Sequence, residues 1–306
     1  MEKCPVEPVV NYFAVSWAYP LKRIAEYNSS PTDKTQGAVW NTKMPRSRRT
    51  QTPKEPDAIP WHTELLRISA FPISGATVVP NSWKEITGND PDEISKHPPP
   101  VQSLEAGPFF VGRLSVGYQP GRIDLILMPD QTTQSEGLQL RHVGDFGPAM
   151  DNFLPAARKA FRPDMVMQRL AVGAVLLHPV ESVEDGYKVL RSILPVAREI
   201  PETASDFSLQ LNVPITQRVT GISDIRINRL LKWAVARFQL MNMVGGSGVP
   251  TQIVGGEEMY VVRVEMDINT PADLAVPLSH QNILDVIEHL AAQARALAAN
   301  RGWFPA

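Results

Sequence analysis

The sequence predicts an α+β protein built as two similar layers of mainly antiparallel sheet covered by a few helices. Three observations carry that expectation. Residues 260–269, YVVRVEMDIN, alternate so that Val262, Val264, Met266 and Ile268 fall on one face of a strand while Arg263, Glu265, Asp267 and Asn269 fall on the other. Residues 109–128 read as a hairpin, with Pro120-Gly121 supplying the dihedrals of a type II turn. Residues 281–299 follow with Ile283, Val286, Ile287, Leu290, Ala294 and Leu297 at helical spacing.

The remaining elements follow in order. Residues 9–19 alternate with Phe13, Val15 and Trp17 on one side and read as a strand. Residues 28–60 lose all periodicity and are crowded with Ser, Thr, Pro and basic residues, the composition of a long loop or arm. Residues 65–69, LLRIS, read as a strand, and 81–108 as irregular, with prolines at 98, 99 and 100 that interrupt helix or central strand. In the hairpin, Phe110, Leu114, Val116 and Tyr118 share one face of the first arm, and Ile123, Leu125 and Leu127 one face of the second. A helix over 147–161 buries Met150, Phe153, Leu154, Ala157 and Phe161, and Pro163 stops it.

In the second half, 165–177 is a long apolar strand. Residues 182–194 form a helix, with Ser182 and Asp185 in a variant of the capping box and Val183, Tyr187, Leu190 and Leu194 as the buried stripe. Residues 207–215 alternate as a half-buried strand. Residues 227–241 fit both periods; the strand reading is preferred over 231–241 because neighbouring strands need a partner, with a return to 258–269. This suggests an N-terminal α+β domain at 1–163 that carries the basic arm, and a C-terminal one at 164–306.

Composition sets the outer bounds. Hydrophobic residues at 43% and charged residues at 20% describe a globular chain, and the formal charge of −2 excludes a strong global pull toward nucleic acid or anionic membranes. Cys4 is the sole cysteine, which excludes an internal disulfide and any multi-cysteine metal site and points to a cytoplasmic setting. No window approaches about 18 uninterrupted apolar residues, so no membrane association is expected.

The chain resembles a family of sporadically distributed bacterial proteins of unknown function. The likeness lies in PVEPVV at 5–10, RLAVGAVL at 169–176 and VEMDINT at 264–270 before a long terminal helix. The family strand ends in an Asp-Ile-Asp-like pattern, and Asn269 stands here in place of the second acid. The resemblance implies neither an activity nor site residues.

Five features invite a chemical reading. Glu265 and Asp267 project from one strand face and could share a divalent cation or act as an acid/base pair, against the plainer reading that Arg263 and neighbouring strands neutralise them. His178 sits at a strand end and His142 lies between Arg141 and Asp145, although no serine stands in a nucleophile elbow. The glycines at 245–248 and 255–256 lack the Lys-Ser/Thr of a phosphate loop and read as a hairpin tip and contact surface. Lys34, Lys43, Arg46, Arg48, Arg49 and Lys54 occupy an acid-free stretch at 34–54 with Trp40 as a stacking ring, suited to nucleic acid or to a protein partner. The leading expectation is a non-catalytic interaction or assembly component of a bacterial accessory or defence system, contacting a protein partner through the arm and the glycine tip, with no cofactor. Nucleic-acid binding by the arm comes second, and a metal-assisted hydrolase using Glu265 and Asp267 third.

Overall fold

The computed structural model describes residues 59–299, apart from 75, 77, 98–101, 131–137, 200, 202–203, 205, 220–221 and 245–251. The chain divides into Met1–Asp57 and Ala58–Ala306, and every described residue belongs to the second unit. The strand expected at 9–19 therefore lies outside the described residues, as do the arm up to residue 58 and the glycine tip at 245–250.

The elements run β1 (His62–Pro72), α1 (Trp83–Thr87), β2 (Glu93–His97), β3 (Gln102–Phe109), β4 (Gly112–Gln119), β5 (Arg122–Met128), α2 (Phe146–Lys159), β6 (Met167–Val180), α3 (Val183–Ile193), a 3₁₀ turn (Pro195–Glu199), β7 (Ser208–Asn212), β8 (Ile215–Val219), β9 (Ile222–Val244), β10 (Gln252–Asn269) and α4 (His280–Ala298). The α+β class holds. The strands form a ten-stranded sheet ordered β2-β3-β4-β5-β1-β6-β10-β9-β7, with β8 also pairing β9, and every pairing is antiparallel. Strands from the two sequence halves meet where β1 pairs β6 from His62↔Leu177 to Pro72↔Met167, so both halves contribute to one sheet.

Register explains the core. Leu66 faces Leu127 and Ala174, Ile68 faces Leu125 and Val172, Val264 faces Leu176 and Trp233, and Ile268 faces Val172. These side chains share one face of the sheet and are buried. All four helices turn their buried residues into the same cluster: Trp83 and Ile86 from α1, Phe153 from α2, Leu190 and Ile193 from α3, and Ile283, Val286, Ile287 and Leu290 from α4. One face of the sheet is thus apolar and covered by helices; no described helix lies on the other face, which carries most of the charged side chains but also the buried Leu177 and Val261. The alternation of residues 260–269 was the sequence signature of this arrangement.

Several elements depart from expectation. The described residues of 81–108 are mostly regular: Ser82 caps α1 in a full capping box with Glu85, and β2 pairs β3 antiparallel at the sheet edge. Gly107 is required there, because a Cβ on it would lie 2.7 Å from Cζ2 of the buried Trp83. Phe110 is not on the core face of a strand but in the turn between β3 and β4, with φ 55° and its side chain exposed, because that hairpin closes at Phe109↔Gly112. Gly121, with φ 78°, supplies the turn between β4 and β5 as its position requires.

The segment that fitted both periods is strand throughout, and β9 extends well past 231–241 at both ends. Pairing with β10 over Asn228↔Asn269 to Val244↔Gln252 outweighs its helical spacing. Residues 207–215 divide, β7 ending at Asn212 and β8 starting at Ile215. The α3 cap is as read from sequence: the Ser182 hydroxyl accepts from the Asp185 amide at 3.1 Å. Leu190 and Leu194 are buried beneath it, while Val183 and Tyr187 are half-buried.

Candidate functional site

Glu265 and Asp267 stand on the polar face of β10, each already engaged. Arg263 donates through Nη1 to Glu265 and through Nε to Glu64 at 3.1 Å, and Lys232 Nζ lies 3.6 Å from Glu265. Asp267 accepts from the Asn269 amide at 3.1 Å, and Asn269 in turn accepts from Asn228 at 3.2 Å. Asn269 is thereby a link in a cross-strand amide ladder. Among the described residues no three His, Cys, Asp or Glu side chains are grouped to hold a metal ion. The face of the strand thus carries ion pairs around Glu265 and an amide contact at Asp267.

His178 and His142 lie near the start of β1. His178 Nδ1 is 3.2 Å from the Pro60 carbonyl, and its ring meets Trp61 edge-on at 6.1 Å. His142 stacks on His62 with centroids 4.4 Å apart, its Nδ1 accepts from the Gly144 amide at 3.0 Å, and His62 Nδ1 lies 3.1 Å from Asp145, which precedes α2. Burial pushes the His142 imidazole below its ordinary pKa, His62 adds to that, and Asp145 opposes it. Backbone bonds Thr63 N to Gly144 O, Val143 N to Thr63 O and Phe146 N to Trp61 O fasten the same junction. His62 and His142 tie the start of β1 to the start of α2, and His178 packs on the residues just before β1.

Lys34, Trp40, Lys43, Arg46, Arg48, Arg49 and Lys54 all lie outside the described residues. Gly255 and Gly256 belong to β10, where the register against β9 shifts between Gly255 and Glu258, a bulge.

Two features of the described unit were not found from sequence. The first is a row of cationic side chains and one aromatic ring on the polar face. Arg67, Ser69 and Phe71 alternate along β1 toward that face; Gly173 of β6 lies opposite Arg67, Arg169 opposite Phe71, and Asp124 of β5 opposite Ser69. The guanidinium carbons of Arg122 and Arg169 lie 5.7 and 5.3 Å from the Phe71 ring centroid. Arg122 is neutralised by Asp124 at 2.7 Å, and Asp124 also accepts from Ser69 at 2.5 Å. Arg67 lies against Gly173, where a Cβ would come within 3.4 Å of its Nε. The Nε atoms of Arg67 and Arg169 are shielded from solvent with no hydrogen-bond partner, an arrangement that costs on the order of 1–3 kcal/mol each. The sequence signal was the alternation Arg-x-Ser-x-Phe at 67–71, but Arg122 and Arg169 join it only through strand register.

The second is a long two-stranded ribbon. Strand β6 pairs β10 only over Tyr260–Asn269, and β7 and β8 pair β9 only up to Ala234, whereas β9 and β10 pair with each other out to Val244↔Gln252. Beyond Ala234 and Tyr260 neither ribbon edge has a described strand beside it. Near its base the Leu138 amide donates to Glu257 at 2.9 Å, and Arg237 and Tyr260 both bond to Glu258. No described helix is long and apolar enough to cross a membrane. No family model, curated protein or solved structure matches the chain.

Proposed function

We propose that the protein is a non-catalytic interaction or assembly component of a bacterial accessory or defence system, working in the cytoplasm, and that it docks a partner polypeptide on the β9–β10 ribbon. The observation that supports this reading is the ribbon itself. Over residues 235–244 and 252–259 each strand offers an outer row of amides and carbonyls that no described strand pairs, along roughly 30 and 25 Å at the ordinary rise of a strand. An isolated two-stranded hairpin is marginal in water, and exposed edges are what natural sheets normally blunt. A strand of the partner added to the edge would satisfy these groups, with main-chain hydrogen bonds giving affinity and alternate side chains giving selectivity. The sole cysteine, Cys4, supports the reducing compartment.

The test is site-specific photocrosslinking in the native host. A photoreactive phenylalanine replaces Phe238 on the ribbon or, as control, Asp90 in the exposed loop after α1. One discrete partner band from position 238 and none from position 90 is the expected outcome. Equal labelling from both positions, or none from either, contradicts the ribbon as a docking edge.

A further inference from the structure

We propose that the row formed by Arg67, Phe71, Arg122 and Arg169 on the polar face of the sheet binds single-stranded nucleic acid, independently of the basic stretch at 34–54 and of the ribbon. Charge balance gives the first argument. Three guanidinium groups gather here, Asp124 neutralises Arg122, and no described carboxylate lies within ion-pair distance of Arg67 or Arg169. Burial gives the second: Arg67 and Arg169 are half-buried with their Nε atoms shielded, so the unpaired charge of each calls for anionic oxygens at the part of its guanidinium that solvent reaches.

Spacing identifies the kind of anion. Register places Arg67 opposite Gly173 and Arg169 opposite Phe71, four residues further along β1, which is about 13 Å at the rise of a strand. Two long cationic side chains rooted that far apart on the backbone suit a chain of regularly spaced phosphates better than one small phosphate. The ring decides between a nucleic acid and an acidic polypeptide. Phe71 stands between Arg122 and Arg169, so the guanidinium planes and the ring form a cross-strand ladder on which bases can stack. A string of carboxylates would gain nothing from that ladder. Gly173, Ser69 and Ala171 keep the floor beside it low. The support is a sheet face, the surface on which single strands spread their bases, whereas duplex grooves are entered by helices or ribbons.

The experiment is fluorescence anisotropy on the full chain with a labelled 12-mer of oligothymidylate at 50 and 200 mM salt. Wild type should bind with salt-sensitive affinity. R67Q/R169Q should bind at least tenfold more weakly, with the log–log salt slope lowered by about 1.4, since each lost phosphate contact to a single strand removes about 0.7. Phe71→Leu should weaken binding severalfold and leave the slope unchanged. The same losses should appear in a chain whose Lys43, Arg46, Arg48 and Arg49 are already alanine, which separates this face from that stretch. If the double variant does not fold, phenylglyoxal footprinting of wild type replaces it, and the oligonucleotide should protect Arg67 and Arg169 from modification. Absence of binding by wild type at 50 mM salt, unchanged affinity in the folded double variant, or an unprotected pair of arginines overturns the proposal. Displacement by polyglutamate at equal charge concentration also overturns it, in favour of an acidic polypeptide.

Discussion

Replacing Gly107 by alanine probes the part of the fold that the sequence concealed. A Cβ at this position would lie 2.7, 2.9 and 3.3 Å from Cζ2, Cη2 and Cε2 of Trp83, distances at which something must move. The indole cannot swing freely: Trp83 is 1% exposed, its Nε1 donates to the Leu114 carbonyl at 3.2 Å, and its amide donates to Glu105 at 2.6 Å. Overpacking of this kind costs about 1–3 kcal/mol. The loss of glycine's freedom in the unfolded chain returns about 0.4–1 kcal/mol. The expected net destabilisation is about 1–2 kcal/mol, which for a unit of this size lowers Tm by roughly 2–8 °C. Urea denaturation followed by far-UV circular dichroism measures it. A second arm adds Trp83→Phe, which removes the atoms that clash, so the double variant should be more stable than the sum of the single effects by about 0.5–3 kcal/mol. A neutral or stabilising Gly107→Ala, or strict additivity, would refute the packing of α1 against β3.

Three further outcomes are expected. Ser82→Ala removes the hydroxyl that accepts from the Glu85 amide at 3.3 Å and should cost about 1 kcal/mol in thermal denaturation, whereas no change would mean that the capping box contributes nothing. Thr270→Val leaves the buried Leu170 amide, now bonded to the Thr270 hydroxyl at 3.0 Å, without that acceptor and should cost about 1–3 kcal/mol; an unchanged urea midpoint would argue against the bond. His142 binds its proton less readily folded than unfolded, so the unfolded chain takes up protons first as pH falls below about 6.5. Stability should therefore be complete above that pH and decline as pH drops toward the folded value, and His142→Asn should flatten the change measured between pH 7.5 and 5.5; equal declines in both chains would contradict the assignment.

Elements whose sequence period matched their burial were legible. Strand β10 and helices α2, α3 and α4 each carry an apolar stripe at the spacing of their own geometry, and the core is built on those stripes. Residues 81–108 were not legible, because the prolines at 98–100 and 108 and Gly107 erase local periodicity. What orders this segment is tertiary: the Trp83 ring over Gly107, and Glu105 accepting from the first amide of α1. Residues 227–241 satisfied both periods at once, and only the pairing with β10 distinguishes them. The polar face of β10 was readable down to the neutralisation of Glu265 by Arg263. The arginine row was not, since its members come from β1, β5 and β6 and become neighbours only when the register Ser69↔Asp124 and Phe71↔Arg169 is known.

The central structural claim is that β10 turns alternate side chains under the helices and away from them, and cysteine accessibility measures it most directly. Cys4→Ser removes the only native thiol, and single cysteines are then introduced in place of Val264, Glu265, Met266, Asp267 and Ile268. Maleimide labelling of the folded chain should be fast for the cysteines replacing Glu265 and Asp267 and suppressed for those replacing Val264, Met266 and Ile268, in strict alternation. Uniform rates across the five positions, or a rhythm of three to four residues, would contradict a strand with one face under the helices and the other turned away from them.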